Sequence, residues 1–183
     1  MRLGRIAILA GVIALSAGAG WTTALYVIPT RATDIMWNQF RSSGAVHNRL
    51  SKPLVRTAKT ARVVADNPDT MTRSSIVDLS KGPVLFVAEV PAAAEYWSVS
   101  LFAHNTDTYF VANDQRTGPG PYRLLIRRQD QAIPSGVQAD EVAVSPSDLS
   151  FLIVRATMRD RNDKAGVEAL RAVIQRESLT PIG

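Results

Sequence analysis

At 183 residues and 46% hydrophobic composition, the chain can fill one ordinary core and needs no second one. The absence of cysteine excludes disulfides, thiol catalysis and cysteine-ligated zinc. The formal charge of +5 is spread along the chain, with Arg127-Arg128 the one adjacent basic pair, so nothing marks nucleic acid as a partner.

From Ile6 to Ile28, "IAILAGVIALSAGAGWTTALYVI" carries no charge. As a helix this run reaches about 35 Å at roughly 1.5 Å per residue, enough to cross a bilayer. Arg2 and Arg5 precede it and Arg31 follows it, which by the positive-inside rule predicts a cytoplasmic N-terminus. The expected location is a single pass through the inner membrane, with the C-terminal domain in the periplasm. A cleaved signal peptide is the competing reading, since Ala17-Gly18-Ala19 resembles a cleavage site. Continuation of the run through Trp21 and Tyr26, residues suited to a membrane interface, favours a retained anchor. Without the first 28 residues, 19 Lys and Arg face 16 Asp and Glu, a charge of +3.

Pro29 is expected to end this helix. A short amphipathic helix follows, capped by Thr33 or Asp34, with Ile35, Met36 and Phe40 on one face. Gly44 and Pro53 make residues 43–60 read as an irregular, solvated connector bearing Arg49, Lys52, Arg56 and Lys59. From about Ala61 the periodicity changes to two. Met71, Arg73, Ser75, Val77 and Leu79 alternate with Thr72, Ser74, Ile76 and Asp78, and Ser80-Lys81-Gly82-Pro83 turns the chain into "VLFVAEV". That turn is expected to pair the two strands, with Gly82 at positive φ. In "EYWSVSLFAH", Trp97, Val99 and Leu101 form the core face, and Tyr96, Ser98, Ser100 and Phe102 the other. "NTDT" turns into "YFVAN", "RTGPGP" breaks the chain before "YRLLIRR", and strands are expected near 137–144 and 151–158. Val167, Leu170, Val173 and Ile174 stand at helical spacing, with Asn162 or Asp163 as cap and Pro181 beyond the end.

The predicted fold is mainly β with helices (α+β): an N-terminal transmembrane helix over 1–29, a juxtamembrane helix and connector over 30–60, and a β-sandwich-like domain with a C-terminal helix over 61–183. Such a sheet is packed on one side and wet on the other.

Candidate chemistry is sparse. Asp66 and Asp69 flank Asn67-Pro68, and paired carboxylates can divide acid and base roles only if their environments separate their pKa values. The same residues initiate turns, which is the structural reading of this loop. His104, with Asp107 three residues on, would complete a hydrolase or metal-dependent site together with Asp66 and Asp69, near residues 66–70 and 104–107. Ser98 or Ser100 could be joined to His104 and Asp107 on paper, but no G-x-S-x-G elbow occurs. Two distant histidines, His47 and His104, specify no metal site, and no cofactor motif is present. A binding surface is the other class. Tyr96, with Asn67, Asn105, Asn113 and Asp114 as hydrogen-bonding groups, forms its candidate set.

Two segments, "NPDTMTRSSIVDLSKGPV" and "YWSVSLFAHNTDTYFVANDQ", resemble the bacterial domain-of-unknown-function family 1254, in its short membrane-anchored form. The matching residues are Asn67, Asp69 and Thr70; Asp78, Leu79, Ser80, Gly82 and Pro83; and Tyr96, Trp97, Ser98, Ser100, Leu101, Asn113 and Asp114. Met71-Thr72 stands where many members have Leu-Tyr. The resemblance implies a β-sandwich-like fold and a partner protein carrying the companion 1214-type domain. It implies no particular reaction. The reading favoured here is therefore a membrane-anchored binding domain for a partner protein or envelope component, with the hydrolase as alternative.

Overall fold

The computed structural model describes residues 2–42, 46–55 and 67–182. A single helix, α1 (Arg2–Ser42), contains the apolar run and continues past it. It is long and apolar enough to cross a membrane, and its side chains from Leu3 to Ile28 are exposed. Pro29, expected to end it, lies inside it. The separate juxtamembrane helix is thus the last turns of α1. Proline removes one N–H and crowds the carbonyl four residues back. Beyond it, however, Thr33 and Trp37 are each 3% exposed, packed on the β-domain, and that burial outweighs one lost hydrogen bond. Thr33 Oγ1 also donates to the Pro29 carbonyl at 3.0 Å. Ile35, placed on the packed face by the sequence reading, is 60% exposed; the face in contact is Thr33, Met36 and Trp37.

Two sheets follow. The first has the order β1 (Leu54–Val55), β2 (Thr70–Asp78), β8 (Leu149–Thr157), β4 (Tyr96–Phe102), β5 (Thr108–Asn113), antiparallel throughout. The second has the order β7 (Glu141–Ser145), β6 (Gly120–Arg128), β3 (Val84–Val90), β9 (Ser178–Pro181), parallel only between β6 and β7. A short α2 (Asp114–Thr117) precedes β6, and α3 (Lys164–Gln175), capped by the Asp163 carboxylate on the Gly166 N–H, precedes β9.

Three expectations change here. Gly82 does take positive φ, at 142°, but the turn it serves does not pair β2 with β3. It is a corner between sheets. Both strands carry an apolar inner face, and stacking them face to face buries those faces against each other as side-by-side pairing would not. Next, the described part of the connector is stitched to the edge of β2: Asn48 N–H to the Ile76 carbonyl and Ser51 N–H to the Ser74 carbonyl, both at 2.8 Å, and then the β1 ladder. Unpaired edge groups are satisfied in this way. Arg56, Lys59 and the expected start near Ala61 lie outside the described residues. Last, the first sheet is not wet on its outer side at one end. Trp37 packs there on Ile76 and Phe151, with Met36, Phe102, Leu149 and Ile153 around them.

The main core fills the space between the sheets. Met71, Val77, Leu79, Phe86, Trp97, Val99, Leu101, Leu124, Ile126 and Leu152 are all fully buried, and Leu170 and Ile174 of α3 join them. Each large apolar side chain contributes about 1.5–3 kcal/mol. The expected alternation in β4 holds: Trp97, Val99 and Leu101 face this core. Ser98 and Ser100, facing the other way, are nonetheless 3% and 6% exposed.

Arg73 stands at a core-facing position of β2, and the structure supplies its partners. Its Nε donates to the Ser51 carbonyl at 2.8 Å, and Nη1 donates to the carbonyls of Ile174 at 2.5 Å and Glu177 at 3.1 Å. The Glu177 carboxylate lies 3.5 Å from the same nitrogen and accepts from Trp97 Nε1 at 3.2 Å. Burial pushes the Glu177 carboxyl up to about 7 although the hydrogen bond from Trp97 and the Arg73 charge both pull it down. Burial likewise lowers the Arg73 guanidinium from its ordinary value.

Candidate functional site

Both histidines lie at one end of the sandwich, the end nearer the apolar run of α1. The register sets this out: Ile76, Phe151 and Phe102 are level with one another, and Thr70, Thr157 and Tyr96 are level at the far end. Thr33 borders the 103–106 turn, and Trp37, one turn further along α1, packs on Ile76 and Phe151. The docked end of the helix therefore crosses the His104 end of the first sheet, from the β4 side towards β2.

His47 precedes the segment laid against β2. Asn48, at φ 56°, turns the chain at a left-handed position that asparagine tolerates better than most residues. Its side chain brackets Asp78 by donating to the Asp78 carbonyl at 2.9 Å and accepting from the Asp78 N–H at 2.8 Å. This places His47 Nδ1 2.9 Å from Asp78 Oδ2. The other carboxylate oxygen accepts from the Ser80 N–H at 3.0 Å and the Ser80 hydroxyl at 2.6 Å. Partial burial raises the Asp78 carboxyl, but the Ser80 bonds and His47 more than offset it, and its pKa is lower than usual. An ionised carboxylate only accepts, so Nδ1 carries the proton and, in the neutral ring, Nε2 keeps its lone pair. The Ser80 hydroxyl is committed to Asp78 and does not complete a nucleophile–histidine pair.

This pair forms one wall of an open groove of about 750 Å³. Arg49 and Lys81 line it together with Asp78, and its apolar surface comes from Val46, Pro83, Leu179 and Pro181. Neither cation has an ion-pair partner among the described residues.

The second histidine serves the helix. His104 Nε2 lies 2.9 Å from Asp34 Oδ1, and its ring lies 4.3 Å from the Trp37 ring, tilted by 58°. Asp107, three residues on, instead accepts from the Asn105 side chain at 2.6 Å and closes the turn through its carbonyl to the Ala103 N–H.

Of the four candidate catalytic residues, the three described ones, Asp69, His104 and Asp107, are not all brought together. Asp66 lies outside the described residues. Asp69 is at the far end, where its N–H donates to Asn67 Oδ1 at 2.9 Å and its carboxylate lies 3.6 Å from Arg161. Six strand residues, about 20 Å, separate the Tyr96 level from that of Phe102, and His104 lies beyond Phe102. The candidate binding set is dispersed as well. Tyr96 and Asn67 are at the far end and Asn105 is in the near turn. Asn113 caps α2 through the Arg116 N–H at 3.1 Å, and Asp114 Oδ1 accepts from the Trp97 N–H at 3.0 Å. Turn formation and capping account for Asn67, Asn105 and Asn113. The His47–Asp78 pair escaped sequence reasoning because its members are 31 positions apart and meet only across a strand edge; the Asp-x-Ser turn was the one visible sign.

Fold and rim together define a class: a single β-sandwich held against the end of a long apolar helix. The chain belongs to the family described as "Protein of unknown function (DUF1254)", whose model it matches over residues 47–178. The crystal structure of the VPA0106 protein from Vibrio parahaemolyticus is similar with a TM-score of 0.69 and 14% identity, over 84% of this chain and 35% of that one. An uncharacterized protein from Burkholderia cenocepacia is similar at 0.51 and 16% identity, over 92% of this chain and 42% of that one. At such identities the shared property is the fold. The present chain spans well under half the length of these two relatives. No curated protein matches it.

Proposed function

We propose that this protein is a single-pass inner-membrane protein whose periplasmic sandwich binds a partner protein carrying the companion 1214-type domain. The observation that carries this reading is the coverage of the longer relatives. The same fold accounts for only 35% and 42% of their chains, so there it is built alongside a larger remainder. A domain that works beside a second body needs a surface for it, and β7 offers one. It ends the second sheet, and Val142 and Val144 are 41% and 39% exposed on either side of the buried Ala143. A strand at a sheet edge with outward valines is a site for another protein.

Photo-cross-linking in native membranes tests this. With a benzophenone side chain at Val142 or Val144, one discrete heavier product is expected, containing a protein with the companion domain. A probe at Lys164, at the far end, is expected to give none. No product at either valine, or the same products from all three positions, would defeat the reading.

A further inference from the structure

We propose that the groove between His47 and Pro181 binds the phosphate headgroup of an anionic phospholipid of the membrane that holds α1. The site goes beyond the partner reading and lies at a different edge of the sandwich; it rests on residues 6–28 lying in the bilayer.

Position comes first. From Ile28 to Asp34 is six residues, about 9 Å along a helix. The headgroup layer on each side of a bilayer is about 5–8 Å deep. The His104–Asp34 contact therefore holds the near end of the sandwich at the outer boundary of the headgroups. The end of β2 lies two strand spacings from the end of β4, about 10 Å along the same rim. The groove opens at that point. α1 is continuous from Arg2 to Ser42 and is docked on the sandwich through Thr33 and Trp37, which ties the domain to the apolar run directly.

Charge comes second. Asp78, the groove's one carboxylate, is already engaged by Ser80 and His47. Arg49 and Lys81 then face the same space with no anion among the described residues. The two cations facing the same space form a set of donors suited to phosphate oxygens: a guanidinium fork and an ammonium. Shape agrees. Pro83 and Pro181 sit at adjacent strand ends, tied by the Ile182 N–H to the Pro83 carbonyl at 2.9 Å, and with Leu179 and Val46 they give an apolar wall against which a glycerol backbone can lie.

The test uses the full chain in nanodiscs of phosphatidylcholine with one-fifth phosphatidylglycerol, released into detergent and weighed by native mass spectrometry. Wild type is expected to retain one phosphatidylglycerol preferentially. The double variant Arg49→Ala/Lys81→Ala is expected to lose that retention at least tenfold, with an unchanged circular dichroism spectrum. Arg159→Ala/Lys164→Ala, which removes the same charge at the far end, is expected to keep it. Equal loss in both double variants would show a general charge effect and overturn the site. Displacement of the lipid by millimolar inorganic phosphate would assign the groove to a soluble anion and overturn the lipid. A chain that fails to enter the discs would refute the bilayer reading of α1 itself, whereas failure of the valine cross-links would leave this result standing.

Discussion

Arg73→Met removes the charge at the centre of the buried network while keeping most of the side-chain volume. Left behind are the carbonyls of Ser51, Ile174 and Glu177, and a Glu177 carboxylate that is 4% exposed with Trp97 Nε1 as its remaining donor. Breaking a buried ion pair from one side costs about 3–5 kcal/mol, against a total of about 5–15 kcal/mol for a typical domain. The cost should depend on pH. In the wild type the Glu177 pKa is raised from 4.5 to about 7, so the fold prefers the protonated acid. That contribution is fully present below about pH 4.5 and is lost as pH rises through about 7. Without Arg73 the carboxyl moves further up, and the variant loses most where Glu177 must ionise. Urea unfolding of the full chain in detergent, followed by tryptophan fluorescence, should show the variant about 3–5 kcal/mol less stable at pH 8 and distinctly less affected at pH 5. Adding Glu177→Gln to Arg73→Met should recover part of the loss at pH 8. A cost that is equal at both pH values, or larger at pH 5, would refute the claim that an uncompensated Glu177 charge is what Arg73 prevents.

Gly82→Val should cost about 1–3 kcal/mol and lower the melting temperature by several degrees, since φ near 142° is closed to a β-branched residue; an unchanged melting temperature would remove the strained corner between the sheets. Trp37→Ala should cost about 3–5 kcal/mol of packing and free the end of α1 from the sandwich. Spin labels at Gln39 and Ser147 should then report a broadened distance distribution, and a distribution as narrow as that of the wild type would show that the helix is not held by this contact.

The apolar run, the strand alternation around Trp97, the positive φ of Gly82 and the C-terminal helix were legible in the sequence. Each depends on local chemistry: hydropathy, a period of two, a residue without Cβ, a period near 3.6. The alternation placed Arg73 on the same face as Met71 and Val77, but its burial and its partner Glu177 were not read from the sequence. Asp69, Asn105 and Asp107 read as ambiguous between turn and site, and their short-range hydrogen bonds make them turn residues.

What tertiary structure alone decided is which of these local pieces meet. Pro29 carries a strong local stop signal, yet α1 passes through it because Thr33 and Trp37 gain burial on a sheet that is far away in sequence. Ser80–Pro83 specifies a reversal, but whether the next strand pairs with β2 or stacks over it depends on how the strands of the described residues divide between two sheets. His47 meets Asp78, His104 meets Asp34, and Arg73 meets Glu177 across 31, 70 and 104 residues. Periodicity constrains neighbours within a turn or a strand pair. Contacts across such separations are set by packing the whole chain, and the groove, the docked helix and the buried charge pair exist only at that level.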